Sequence, residues 1–221
     1  MKRRDFSLQL AGLAGVAGAS SLGLVGTAAV AQGGPVEGQH YRRLGTPVPV
    51  GTLAAGKKIE VLEFFWYECP HCFEFDPTLE AWVHKLPADV AFRRVPVGFS
   101  ARHTATAKMF YALEALGVQE SLHAKLFTAI HRARQPIVAE SDMLAFVKAN
   151  GVDGAKFSEA FKSFSVATKA NVAKNLTNSY NVDGVPMLGI HGRFTTAPSM
   201  AGSFERALAV ADFLVDRARR G

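Results

Sequence analysis

Residues Ile59 to Tyr67 are an apolar run that leads through Glu68 into Cys69-Pro70-His71-Cys72, which holds the only two cysteines of the chain. Alternate positions place Val61, Phe65 and Tyr67 on one side of an extended segment and Leu62, Phe64 and Trp66 on the other. A strand that is apolar on both faces must be covered on both, which puts it in the middle of a sheet. Pro70 suits the first turn of a following helix, where its missing N–H leaves no bond unmade. Phe73, Leu79, Trp82, Val83 and Leu86 carry that helix on to Pro87. A central strand turning into a helix, with both cysteines at the corner, is the feature around which the rest of the chain has to be arranged.

Two cysteines in 221 residues cannot staple a fold of this size. A bridge across two intervening residues closes so small a loop that it constrains the unfolded chain little. The spacing therefore favours redox chemistry. A structural zinc site needs four ligands, and only Cys69 and Cys72 have usable spacing, so no bound metal is expected. Covalent haem needs a histidine directly after the second cysteine, where Phe73 stands. The net charge of +6 includes +2 from Lys2, Arg3, Arg4 and Asp5, and the remainder is spread along the chain. No basic block interleaved with aromatics suggests nucleic acid. At 48% hydrophobic the chain can bury a substantial core.

Residues 1–31 read as an export signal. Lys2-Arg3-Arg4 is the basic start, a glycine-diluted apolar stretch follows from Leu8, and Ala29-Val30-Ala31 fits a cleavage site. Arg3-Arg4-Asp5-Phe6 resembles a twin-arginine signal. An ordinary secretory signal or an uncleaved anchor would place the body in the same place, outside the cytoplasm of a bacterium, where an oxidised pair can persist.

Residues 32–57 are rich in glycine and proline and read as a linker with one short edge strand near His40 to Leu44. Val90 to Val97 reads as a second strand. Helical stripes follow: Met109, Phe110, Leu113 and Leu116; Leu122, Leu126 and Ile130; Leu144 and Val147 behind Ser141 as N-cap; Phe157, Phe161 and Phe164; then Val166, Ala170, Ala173 and Leu176. Strand character returns after Gly184, with His191-Gly192-Arg193 as a hairpin turn, and Ser203 to Arg220 closes the chain as an amphipathic helix. The fold class is α/β. The expected organisation is 58–100 and 180–221 as one α/β domain, with an all-helical insertion at 101–179.

Cys-x-x-Cys at a strand–helix corner resembles the redox motif of the thioredoxin fold. Three further features make the mature chain similar to the DsbA family of periplasmic thiol:disulfide oxidases: Pro70-His71 between the cysteines, the helical insertion, and Gly184-Val185-Pro186 before a late strand. The resemblance implies a thioredoxin fold with an inserted helical domain, and donation of the Cys69–Cys72 disulfide to newly exported proteins through a mixed disulfide. It implies no cofactor beyond that redox-active disulfide. The expected partners are unfolded or folding exported proteins with free thiols and a membrane quinone-linked reoxidant of DsbB type, with the protein itself a periplasmic monomer. It also implies that Pro186 is cis and faces the motif, leaving the Val185 backbone free to pair with an extended substrate.

Cys69, at the helix N-terminus beside His71, is the expected nucleophile, because unpaired N–H groups and nearby positive charge lower a thiol pKa. Cys72, one turn inward, is the expected resolving thiol. Glu63 is an acid in a strand with no polar face. It either points to solvent at a strand edge or is a buried carboxyl that needs Arg93 or Arg94 as partner and can relay protons to Cys72. Glu68, next to Cys69, would raise its pKa if turned inward and is expected to face solvent. Trp66 reads as core. His40, His84, His103, His123, His131 and His191 read as surface or capping residues. The rival readings are a disulfide isomerase or reductase, and a thioredoxin-fold chaperone whose thiols are incidental.

Overall fold

Strand Ile59–Phe65 is buried at every position, and the chain builds outward from it. The computed structural model describes residues 34–221, so the export signal read at residues 1–31 lies outside the described residues. In chain order the elements are β1 (Arg42–Arg43), β2 (Ile59–Phe65), α1 (Pro70–Val83), β3 (Val90–Pro96), α2 (Ala101–Ala115), α3 (Gln119–His131), α4 (Glu140–Ala149), α5 (Gly154–Lys162), α6 (Phe164–Ser179), β4 (Met187–Ile190), β5 (Phe194–Thr196), α7 (Pro198–Ala201) and α8 (Phe204–Arg219). The strands form one sheet in the order β1-β5-β4-β2-β3. β2 is parallel to β3 and antiparallel to β4, and β5 is antiparallel to β4 and β1. The register sets Glu63 opposite Arg94 on one side and Leu188 on the other.

Each face of the sheet is covered. Val61, Ile59, Leu188 and Ile190 pack with Phe75 and Leu79 of α1 and with Ala207, Leu208, Ala211 and Leu214 of α8. Leu62, Phe64 and Val95 belong to a second apolar cluster that continues through Met109, Phe110, Leu126, Phe127 and Ala173 of the helices between β3 and β4. Phe65 and Tyr67 share strand parity with Val61 yet join this second cluster. At the end of the strand they meet α2 and α3, with Phe65 edge-on to Phe110 and Tyr67 edge-on to Phe127. The sheet and the helical segment therefore share a continuous core. Among the described residues no helix is long and apolar enough to cross a membrane.

Several local details differ from the sequence expectation. α1 stops at Val83, before Pro87. Ser141 is not an N-cap: α4 starts at Glu140, and the Asp142 carboxylate accepts from the Ala139 and Val138 N–H groups at 2.9 and 3.3 Å. Phe164 leaves the stripe of Phe157 and Phe161 and is 87% exposed. Ser163 ends α5 and caps α6, its hydroxyl accepting from the Val166 N–H, and this break resets the helical phase. The hairpin at His191-Gly192 has φ of 49° and 65°, the two positive values of a type I′ turn. A Cβ on Gly192 would collide with the Val48 carbonyl oxygen.

Candidate active site

Cys69 is the N-cap residue of α1, with extended backbone, and Pro70 opens the helix. Cys69 keeps 8% of its surface and Cys72, one turn in, keeps none; both are free thiols. The Cys69 thiol is lowered to about 6. The Cys72 side chain donates to it, the N–H groups of Cys72 and His71 and the His71 charge add to this, and partial burial opposes it. Burial pushes the Cys72 thiol far up, and its role as donor to Cys69 pushes it further. One sulfur is thus prepared to be an anion and the other to keep its proton. His71 itself lies on the surface, its side chain 73% exposed and its Nδ1 3.4 Å from Glu74. It acts on Cys69 through charge and backbone.

The Val185–Pro186 peptide bond is cis. It faces the pair: the Cys69 Sγ is 3.4 Å from the Val185 carbonyl oxygen, to which the protonated thiol donates. A cavity of about 240 Å³ opens beside it, lined among others by His71, Val185, Pro186, Met187, Pro198 and Phe204. Pro70, His71, Cys69, Cys72, Val185 and Pro186 are therefore gathered at one end of the sheet, where β2 finishes and β4 begins.

Glu63 sits behind them, 1% exposed. The alternative at a solvent-facing strand edge does not occur. Its partner is Arg94, whose Nε lies 3.0 Å from Glu63 Oε2. Neither of those atoms has an aligned hydrogen bond, so the contact is one of charge. Arg94 spends its Nη2 on Asp76 at 3.3 Å and on Glu80. One guanidinium serves three carboxyl groups, and burial outweighs its attraction at Glu63. The Glu63 carboxyl rises to about 7, with Asp76 and Glu80 adding to the rise. Its charge in turn raises the Cys72 thiol. Arg93, on the other face of β3, pairs with Glu60 at 3.0 Å.

Glu68 does not face solvent. Its side chain is 11% exposed and folded against Arg102 of α2, which donates from Nε at 3.0 Å. The adjacent guanidinium neutralises the one acid beside Cys69. His123 and His40 are buried at 4% and 6%, not surface residues. His40 Nδ1 accepts from the Val36 N–H at 2.9 Å, and its Nε2 lies 2.8 Å from Arg206. His123 lies 2.9 Å from the Tyr67 hydroxyl and 3.1 Å from Asp76. His131 donates from Nε2 to the Tyr67 carbonyl at 2.8 Å. Trp66 is half-buried against the core, its ring 4.3 Å from that of His103. The sequence reading does not single out Asp76 or Arg102, and it assigns His123 to the surface or a cap. Asp76 had a signal, since it falls four residues after Cys72 and three before Leu79, on the inner face of α1. His123 had one too, four residues before Phe127 on the inner face of α3.

Comparison with known proteins agrees with this geometry. Residues 60–208 match the model of the DSBA-like thioredoxin domain. The thiol:disulfide interchange protein DsbA of Burkholderia cepacia is 40% identical over 196 residues, covering 88% of this chain and 92% of its own length. The crystal structure of Pseudomonas aeruginosa DsbA superposes with a TM-score of 0.79 at 38% identity, over 84% of this chain and 95% of that one. The oxidoreductase DsbA from Xylella fastidiosa superposes with a TM-score of 0.78 at 33% identity, over 85% and 99%. The match spans the sheet, the helices between β3 and β4, and the cysteine corner together, and on that extent this chain belongs to the DsbA-like thioredoxin family.

Proposed function

We propose that this chain is a thiol:disulfide oxidoreductase that donates a Cys69–Cys72 disulfide to exported proteins, with residues 58–100 and 180–221 as the redox domain and 101–179 as its helical insertion. The observation that carries the reading is the asymmetry of the pair: a thiol held near 6 at a helix start, beside a fully buried thiol pushed far up.

In the oxidised protein a substrate thiolate attacks the Cys69 sulfur. The Cys69–Cys72 bond breaks and its electron pair leaves on Cys72. A second substrate thiolate then attacks the substrate sulfur of the mixed disulfide and Cys69 departs as a thiolate, a good leaving group because its thiol is acidic. The substrate gains a disulfide and the protein ends as a dithiol. Two electrons have passed to Cys69 and Cys72. The Cys72 anion formed in the first step is buried and must take up a proton. Glu63, near 7, holds one at neutral pH in a good fraction of molecules and is the proton carrier in this scheme. Substrate lies along Val185 and Pro186, its backbone N–H donating to the Val185 carbonyl, which loses its thiol donor once Cys69 is in the disulfide.

The reading extends to a periplasmic monomer that uses no cofactor and is reoxidised by a membrane quinone-linked partner of DsbB type. The test mixes oxidised protein with a reduced, unfolded protein and counts thiols lost. One substrate disulfide is expected per Cys69–Cys72 pair, and none from Cys69→Ala. A chaperone would act equally well without Cys69. An isomerase would rearrange a scrambled substrate faster than it oxidises a reduced one. Glu63→Gln is expected to slow oxidation and alter its pH profile; an unchanged rate and profile removes Glu63 from the scheme.

A further inference from the structure

The residues just before Cys69 are held by basic side chains of the helical segment. Trp66 lies against His103 and Glu68 is paired with Arg102, both from α2. Tyr67 between them is held twice from α3. His131 donates to its carbonyl at 2.8 Å, and His123 meets its hydroxyl at 2.9 Å. The Asp76 carboxylate accepts from His123 Nε2 at 3.1 Å, which assigns the ring proton to that nitrogen and leaves Nδ1 to accept from the Tyr67 hydroxyl. The His131 ring also stacks on Phe73, the residue after Cys72, at 4.9 Å and 10°. Tyr67 lies inside the turn in which the Cys69 N–H donates to the Trp66 carbonyl at 3.0 Å. Its carbonyl fixes the plane of the Tyr67–Glu68 peptide, and through that plane the direction in which the chain enters Cys69.

We propose that His123 and His131 are positioning residues for the redox centre: together they clamp Tyr67 at its hydroxyl and its carbonyl, and so hold Cys69 in line with the donors at the start of α1. Neither histidine touches the reacting sulfur. The donation from Cys72 and from the N–H groups of His71 and Cys72 requires the Cys69 sulfur to stay over the helix end. Loosening the turn weakens those bonds, and none of them is replaced. The clamp also gives the helices between β3 and β4 a part in the chemistry, since α3 reaches β2 and α1 at their junction.

The inference rests on Cys69 being the acidic thiol, and the test separates the two claims. The pH midpoint of Cys69 thiolate absorbance is measured in the reduced protein, with the equilibrium against glutathione as second readout. A wild-type midpoint at the ordinary thiol value sinks the site assignment itself. With the wild type near 6, His131→Ala is expected to raise the midpoint by about half to one pH unit, the size of one intramolecular hydrogen bond. That is a threefold to tenfold change in ionisation, with an equilibrium shift towards the disulfide of similar size. His131→Gln, which keeps a side-chain N–H donor, is expected to restore most of it. Tyr67→Phe removes the hydroxyl held by His123 and by Gln119, which also reaches His123 Nδ1 at 3.1 Å, and keeps the ring's packing and the carbonyl bond to His131; it is expected to raise the midpoint by about half that amount. If His131→Ala does not fold, Tyr67→Phe alone decides. Variants that melt earlier while their Cys69 midpoint stays at the wild-type value would show that the clamp is only structural and overturn the proposal.

Discussion

Replacing Cys72 tests how the Cys69 thiol becomes acidic. In the structure the largest contribution is the Cys72 side chain donating to the Cys69 sulfur, ahead of the N–H groups of Cys72 and His71 and the His71 charge. Cys72→Ala removes the first of these and leaves the rest. A hydrogen bond to a charged acceptor is worth about 1.5–3 kcal/mol, or about one to two pH units. From a starting value of about 6, the Cys69 midpoint in Cys72→Ala is expected at about 7 to 8. Cys72→Ser supplies an O–H donor at the same place and is expected to stay within about half a unit of the wild type. The assay is thiolate absorbance of each reduced protein against pH, checked by the pH dependence of alkylation. The reasoning fails if Cys72→Ala still titrates near 6, because the helix N–H groups and His71 would then carry the whole effect. It also fails if the serine and alanine variants titrate together.

Other consequences follow from the same structure. A Cys69 thiol near 6 makes the redox potential bend with pH: reduction takes up two protons below that value and one above it. The slope is expected to fall from about 59 to about 30 mV per pH unit, as read from redox-buffer equilibria; a single slope from pH 5 to 8 contradicts the assigned thiol. Glu63 is raised from 4.5 to about 7, so its stabilising contribution is complete below the lower value and lost as pH rises to the upper one. Denaturant unfolding should show Glu63→Gln gaining on the order of 1–3 kcal/mol over wild type between pH 5 and pH 8; parallel stability curves would refute the buried, raised carboxyl. Gly192→Ala forces a Cβ against the Val48 carbonyl at positive φ. It should cost more than about 1 kcal/mol in unfolding experiments with little effect on the Cys69 midpoint.

The parts of the fold legible in the sequence are those with local periodicity. The two-sided apolar pattern of Ile59 to Tyr67 and the proline after Cys69 suffice to place β2 and α1, because each depends on neighbours a few residues away. The next strand in the sequence offers Arg93 and Arg94 as partners for Glu63, and only the β2–β3 register chooses Arg94. What was missed depends on distant contacts. Glu68 turns inward because Arg102, in another helix, waits for it. His123 is buried because Tyr67 and Asp76 satisfy both its nitrogens across the interface of α1, α3 and the end of β2. Phe164 was misplaced because the stripe of phenylalanines continues in sequence across Ser163, where the helix does not.

The central claim is that the reduced pair is stabilised by the Cys69 thiolate, which makes the oxidised protein a strong donor of disulfides. Equilibrating the protein with glutathione and its disulfide at pH 7, and reading the reduced fraction from tryptophan emission or trapped thiols, measures this directly. A potential above about −180 mV, the poise of a protein disulfide isomerase, is the expected result. A value near about −270 mV, the poise of a thioredoxin, would contradict the account.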